Sequence, residues 1–134
     1  MKVLGLDHVA IAVKNLDEAV EKLKKVLGVE PHIEEVPEEK VKIAMFDLGN
    51  VRIEVLQGTA PDSAVTKFVE KRGEGIHHIA VRVDNIEKAT EELKSLGFEL
   101  VYPEPKVVAG GSRKINFVHP KSVHGVLLEL VERV

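Results

Sequence analysis

Gly75-Ile76-His77-His78-Ile79-Ala80-Val81-Arg82-Val83 is the second copy of a stretch that this chain carries twice. The first copy is Gly5-Leu6-Asp7-His8-Val9-Ala10-Ile11-Ala12-Val13. At an offset of 70, Gly5/Gly75, His8/His78, Ala10/Ala80 and Val13/Val83 fall in register. The match continues through Asn15/Asn85, Ala19/Ala89, Glu21/Glu91, Leu23/Leu93 and Lys24/Lys94. An internal repeat of this length means one folding unit used twice. The stretch itself reads as a strand. Asp7, Val9, Ile11 and Val13 point one way, and Leu6, His8, Ala10 and Ala12 the other. The β-branched face should pack on helices. The histidine face carries small alanines, so another group can approach it closely.

Each half then follows the same course. Asn15 and Asn85 are N-caps, and the helices after them carry apolar residues at helical spacing up to Gly28 and Gly97. In the first half the sequence predicts strands at His32–Val36, Val41–Leu48 and Val51–Leu56, with a Gly49-Asn50 hairpin turn. In the second it predicts Phe98–Tyr102, Lys114–Val118 and Val126–Val131, with a loop over Pro103–Ser112. A short helix near Asp62–Lys71 joins the halves. The expected fold is α+β, two tandem βαβββ modules forming a curved sheet. Residues 1–60 are the first module, 61–74 the linker helix and loop, and 75–134 the second module, all within one domain.

Composition excludes several classes. The 134 residues carry a net charge of −3, with no basic stripe of the kind nucleic-acid binders show. No apolar run approaches the roughly 18 residues of a membrane helix. The N-terminus enters a strand without a signal-peptide core, so a cytoplasmic protein is expected. There is no cysteine, which removes thiolate nucleophiles and cysteine-based zinc sites.

The final strands of the two modules also match. Val51-Arg52-Ile53-Glu54-Val55-Leu56 corresponds to Val126-Leu127-Leu128-Glu129-Leu130-Val131 at an offset of 75. Each glutamate interrupts an apolar segment, on the face away from Ile53 and Val55 or from Leu128 and Leu130. A carboxylate there is costly unless it is paired or binds a metal. Each half therefore supplies one strand-borne histidine and one strand-borne glutamate on the same type of face. Singly, any of the four reads best as a structural residue. Repeated in register, His8, Glu54, His78 and Glu129 read as a ligand set for a borderline divalent ion such as Co²⁺, Mn²⁺, Ni²⁺, Fe²⁺ or Zn²⁺. His77 points away from His78, so the two cannot serve one ion. His32, His77, His119 and His124 read as structural or surface residues, with His119-Pro120 shaping a turn.

Three stretches carry a family resemblance: Asp7–Val13, Gly73–Ala80 and the run His119-Pro120-Lys121-Ser122 leading to Gly125-Val126-Leu127-Leu128-Glu129-Leu130. They resemble the methylmalonyl-CoA epimerase family of the vicinal-oxygen-chelate superfamily, over nearly the whole chain. The first stretch is shared widely in that superfamily; the last is much closer to the epimerases. The resemblance implies paired βαβββ modules around one divalent metal, with Co²⁺ the expected ion and ligand positions at His8, Glu54, His78 and Glu129. It implies interconversion of (R)- and (S)-methylmalonyl-CoA by proton abstraction and return at C2 through an enediolate. Glu129 is the first candidate for the acid–base work, because the family glutamate there lies beside C2. Some relatives carry a second glutamate in the strand equivalent to Val41–Leu48, where this chain has Ile43. Glu54, the pseudo-symmetric partner of Glu129, is the candidate for the second role. Some relatives have glutamine at the position of Glu54. A homodimer is implied by the family.

For the CoA moiety the candidates are Arg113, Lys114 and Lys121, with Gly110 and Gly111 letting backbone amides approach an anion. Ordinary solvated side chains are the competing reading for them. For the whole protein, the competing functions are a glyoxalase-type isomerase or lyase, an oxygenase on the same scaffold, and a non-catalytic binder of a small ligand. Iron oxygenases favour two histidines and one carboxylate with open positions, so a fourth ligand counts against that class. A mere binder would have no need of four ligands.

Overall fold

The computed structural model describes residues 1–134. Eleven elements carry the argument. They are β1 (Val3–Ala12), α1 (Leu16–Leu27), β2 (His32–Val36), β3 (Val41–Asp47), β4 (Arg52–Gly58), α2 (Ala64–Arg72), β5 (Gly75–Val83), α3 (Ile86–Ser95), β6 (Lys106–Val108), β7 (Arg113–Val118) and β8 (Leu128–Arg133). The order βαβββ appears twice, with α2 between, and the α+β class follows from it. Two compact units are present, His8–His77 and Met1–Asp7 with His78–Val134. The boundary falls inside β1, between Asp7 and His8.

In the unit His8–His77, β1 pairs in parallel with β4, β4 antiparallel with β3, and β3 antiparallel with β2. One face buries Val13, Leu16, Ala44, Phe46 and Val55 against the apolar side of α1, with Ile11, Ile53 and Leu23 packed around them. That is the β-branched face predicted from the alternation. The helix begins where Asn15 accepts the Glu18 N–H at 3.0 Å. It ends at Gly28, whose left-handed φ of 70° an L side chain rarely adopts. The hairpin at Gly49-Asn50 closes through Leu48 N–H to Val51 O at 3.0 Å.

The second unit repeats this plan. β5 pairs in parallel with β8, β8 antiparallel with β7, and β7 antiparallel with β6. Val83, Ile86, Ala89 and Leu130 form its core beside α3, with Val81, Leu93 and Leu100 around them. Asn85 caps α3 by accepting the Lys88 N–H at 3.0 Å. Both helices have a further cap from a strand end. Gln57 Oε1 accepts the Leu16 N–H at 2.7 Å, and Glu132 Oε1 accepts the Ile86 N–H at 2.8 Å. The same pairing recurs because residues 16/86 and 57/132 keep the two repeat offsets.

Two boundaries differ from expectation in an informative way. The strand predicted at Phe98–Tyr102 is reduced to a single bridge, Leu100 to Val118, and the edge strand is Lys106–Val108, inside the predicted loop. The cause is Asn116. Its side-chain amide takes both backbone groups of Tyr102, accepting from N–H at 3.1 Å and donating to the carbonyl at 3.2 Å. A side chain thus meets groups that a strand ladder would otherwise meet. The final strand begins at Leu128 and not Val126, since the Pro120–Ser122 turn and the left-handed His124 and Gly125 delay its pairing.

Candidate active site

In both units the parallel strand pair sets the chemistry. β1 places Ala10 opposite Glu54, and β5 places Ala80 opposite Glu129. The histidine lies two residues earlier on the same face in each case. Alanine's small side chain leaves room for the glutamate to lean toward the imidazole. His8 Nδ1 stands 3.4 Å from Glu54 Oε2, and His78 Nε2 stands 2.8 Å from Glu129 Oε1. All four residues are buried, with at most 7% exposure. The burial is that of core residues, yet the groups are ionisable, which makes the pairs candidates for a functional site.

The two pairs have different surroundings. Beside Glu54 stands the Arg52 guanidinium, Nη2 at 3.9 Å from Oε2. Across the sheet from Glu54 is Met45, whose sulfur lies 3.8 Å from Arg52 Nη1. Across from Glu129 is Phe117, and its ring meets the His78 imidazole edge to face, with centroids 5.6 Å apart.

The donors fit a divalent ion. Buried imidazole and carboxylate groups are its natural ligands. Two such donors about 2.1 Å from one ion and at right angles to each other would be about 3 Å apart. The separations of 2.8 and 3.4 Å bracket that value.

The residues named for the CoA moiety are scattered in character. Arg113 is buried on β7, opposite Arg133. Lys114 points the other way and donates to Glu87 on α3 at 3.0 Å; that carboxylate raises its pKa above the ordinary lysine value. Lys121 lies 3.2 Å from Glu99. Gly110 and Gly111 form a short turn after β6, both in left-handed conformations. His119 shapes the Pro120–Ser122 turn by accepting the Lys121 N–H at 3.2 Å.

Sequence reasoning missed Asp7. It is buried beside His8 in the chain and belongs to the other unit. Arg133 clasps it through two bonds of 2.8 Å, and Arg82 adds a third at 3.3 Å. A carboxylate in the midst of a strand was the available signal. Asn116 and Phe117 were missed as well, because Tyr102, the partner they share, lies in a segment with no periodic pattern.

The chain belongs to the Glyoxalase/Bleomycin resistance protein/Dioxygenase superfamily, whose profile matches residues 7–117. Within that class its likeness is to methylmalonyl-CoA epimerases. The human mitochondrial enzyme of that name is 38% identical over 127 residues, 93% of this chain and 72% of that protein. The ethylmalonyl-CoA/methylmalonyl-CoA epimerase of Cereibacter sphaeroides is 37% identical, across 93% of this chain and 95% of that one. A structure of the Streptomyces coelicolor methylmalonyl-CoA epimerase in complex with 2-nitronate-propionyl-CoA matches with a TM-score of 0.93 at 35% identity, covering 99% of each chain. No helix is long and apolar enough to cross a membrane.

Proposed function

We propose that this chain is an epimerase that interconverts (R)- and (S)-methylmalonyl-CoA with the help of one divalent metal ion. The observation that carries the reading is the registered His–Glu pair in each half of a chain alike, almost end to end, to enzymes of that name. His8, Glu54, His78 and Glu129 are the residues that would hold the ion, with Co²⁺ the preferred candidate. When bound, the ion supplies electrophilic stabilisation of the negative charge that develops on the substrate's oxygens.

The remaining work falls to this chain's own groups. Glu129 takes the C2 proton on one face, and Glu54 returns one on the other. Ile43 is buried next to Leu56 in register and cannot move a proton, so a mechanism using a second glutamate at that position does not apply here. Arg113, Lys121 and the Gly110–Gly111 turn are offered as contacts for the CoA moiety. Lys114, drawn to Glu87, is the weakest of that group. A homodimer is part of the reading, supported by exposed Val3, Leu4 and Leu6 on β1. Light scattering should then give twice the 14.8 kDa chain mass.

The test is proton NMR of methylmalonyl-CoA in D₂O with chelated protein, then with Co²⁺ or Mn²⁺ restored. Metal-dependent loss of the C2 proton signal, together with interconversion in a stereospecific assay, is the expected result. No exchange with any metal would overturn the reading.

A further inference from the structure

A second line of contacts runs outward from His78. The Phe117 ring meets its imidazole edge to face, at an interplanar angle of 88°. The Tyr102 ring meets Phe117 in the same manner, with centroids 6.0 Å apart and an angle of 75°. Both separations fall in the favoured range for such pairs, about 4.5–7 Å. Lys106 Nζ lies 4.5 Å from the centroid of the Tyr102 ring. Behind Tyr102 sits Asn116, wholly buried. Its Oδ1 accepts from the N–H groups of Tyr102 at 3.1 Å and Phe117 at 2.8 Å. Its Nδ2 donates to the Tyr102 carbonyl at 3.2 Å and to Thr90 Oγ1 on α3 at 3.3 Å. Two N–H groups aimed at one atom fix which end of the amide is oxygen.

An asparagine at zero exposure with every bond used is costly to keep unless it holds something in place. What it holds is the segment carrying Tyr102, which has no strand ladder of its own at that point. We propose that Asn116 and Tyr102 are positioning residues for His78, acting through the Phe117 ring. Asn116 fixes the Tyr102 backbone, Tyr102 backs Phe117, and Phe117 restricts rotation of the imidazole so that Nε2 stays on Glu129. The consequence for metal binding rests on the proposed function. The orientation of His78 does not, and it can be read without a metal.

The experiment compares wild type with Tyr102→Leu, Tyr102→Phe and Asn116→Ala. The first readout is a long-range ¹H–¹⁵N spectrum of the His78 ring in metal-free protein at fixed pH. The second is a Co²⁺ titration followed by visible absorption. Tyr102→Leu should move or broaden the His78 ring signals and weaken Co²⁺ binding about tenfold, the size typical of losing support behind a metal-binding histidine. Tyr102→Phe, which keeps the ring contact, should behave as wild type. Asn116→Ala should follow Tyr102→Leu. If it does not fold, the two Tyr102 variants decide alone. Unchanged His78 signals in folded Tyr102→Leu would overturn the proposal. Moved His78 signals in Tyr102→Leu, with wild type taking up no Co²⁺, would uphold the positioning role and sink the metal reading, and unmoved signals in a folded Asn116→Ala would remove Asn116 from that role.

Discussion

The two halves of this chain are built from one plan but finish their His–Glu pairs differently. Glu54 sits 3.4 Å from His8 with an arginine beside it and a methionine across the sheet. Glu129 sits 2.8 Å from His78 with an aromatic ring in the methionine's place and no charge at the position matching Arg52, which is Leu127. The common part is what a donor set needs: histidine, alanine and glutamate in one register. The divergent part is what surrounds the two carboxylates. The Arg52 guanidinium stands 3.9 Å from Glu54, whereas in the other half the Phe117 ring lies against the histidine of the pair. Duplication thus accounts for the matched His–Glu pairs, and divergence around them separates their surroundings.

The largest test of that separation is at the glutamates. Glu129→Gln should lose nearly all C2 proton exchange, a fall of about 10²–10⁴-fold, the range ascribed to general acid–base groups. Glu54→Gln should lose interconversion of the two forms while retaining more exchange from the face that Glu129 serves. Full exchange in Glu129→Gln would place the base elsewhere. The histidines test what the halves share. His78→Ala and His8→Ala should each lose the bound metal, measured by elemental analysis of folded, dialysed protein. Unchanged metal content in either variant would remove that histidine from the ligand set.

The next contrast is at the residue before each histidine, Asp7 in one half and His77 in the other. Asp7 is clasped by Arg133 and Arg82 within its unit, whereas His77 packs against the Phe68 ring at 4.9 Å. Breaking a buried ion pair leaves a charge behind. Arg133 keeps partial access to water, which sets the cost of Asp7→Ala near the low end, about 3 kcal/mol. Urea denaturation measures it, and a loss below 1 kcal/mol would mean that the clasp is weak. Smaller still are the caps. Asn15→Ala and Asn85→Ala should each cost about 1 kcal/mol. The costs should be alike, because the two capping bonds are both 3.0 Å. A difference beyond 1 kcal/mol would show that the halves are not equivalent at their helices.

Much of this was open to reading in the sequence, for definite reasons. The repeat offsets of 70 and 75 carry the βαβββ order, the caps at Asn15 and Asn85, and the face shared by His8 and Glu54 or by His78 and Glu129. Those features depend on periodicity and on local turn chemistry. The edge strand at Lys106–Val108 was not legible, because Asn116, ten residues on, decides where pairing fails. Nor was the Asp7 clasp, which joins residues 126 apart in the chain. Side chains that replace backbone partners, and ion pairs across that separation, leave no periodic trace. The register that brings Ala10 to Glu54 and Ala80 to Glu129 follows from pairing geometry and was only implied by the two different offsets.

The smallest expected contrast lies just past the core strands, where Lys14 in one half corresponds to Asp84 in the other. The Lys14 N–H is met by Glu74 at 2.8 Å, while Asp84 itself accepts the Lys2 N–H at 3.0 Å. That bond, chiefly, lowers the Asp84 pKa below the ordinary 3.8. A depressed carboxylate adds stability that is complete above its unfolded value and disappears as pH falls through the folded one. The difference in urea midpoint between wild type and Asp84→Asn should therefore be constant from pH 7 to about pH 5 and shrink below about pH 4, where the unfolded carboxyl begins to take up its proton. Because Asp84 is exposed, raised salt should shrink the part that comes from the N-terminal charge and leave the part that comes from the Lys2 N–H. A difference that stays constant down to pH 3 would mean that the carboxylate's bond to Lys2 contributes nothing in solution, and that the start of β1 is held to its unit by its other ties, among them the Asp7 clasp and the N-terminal ammonium on Glu92.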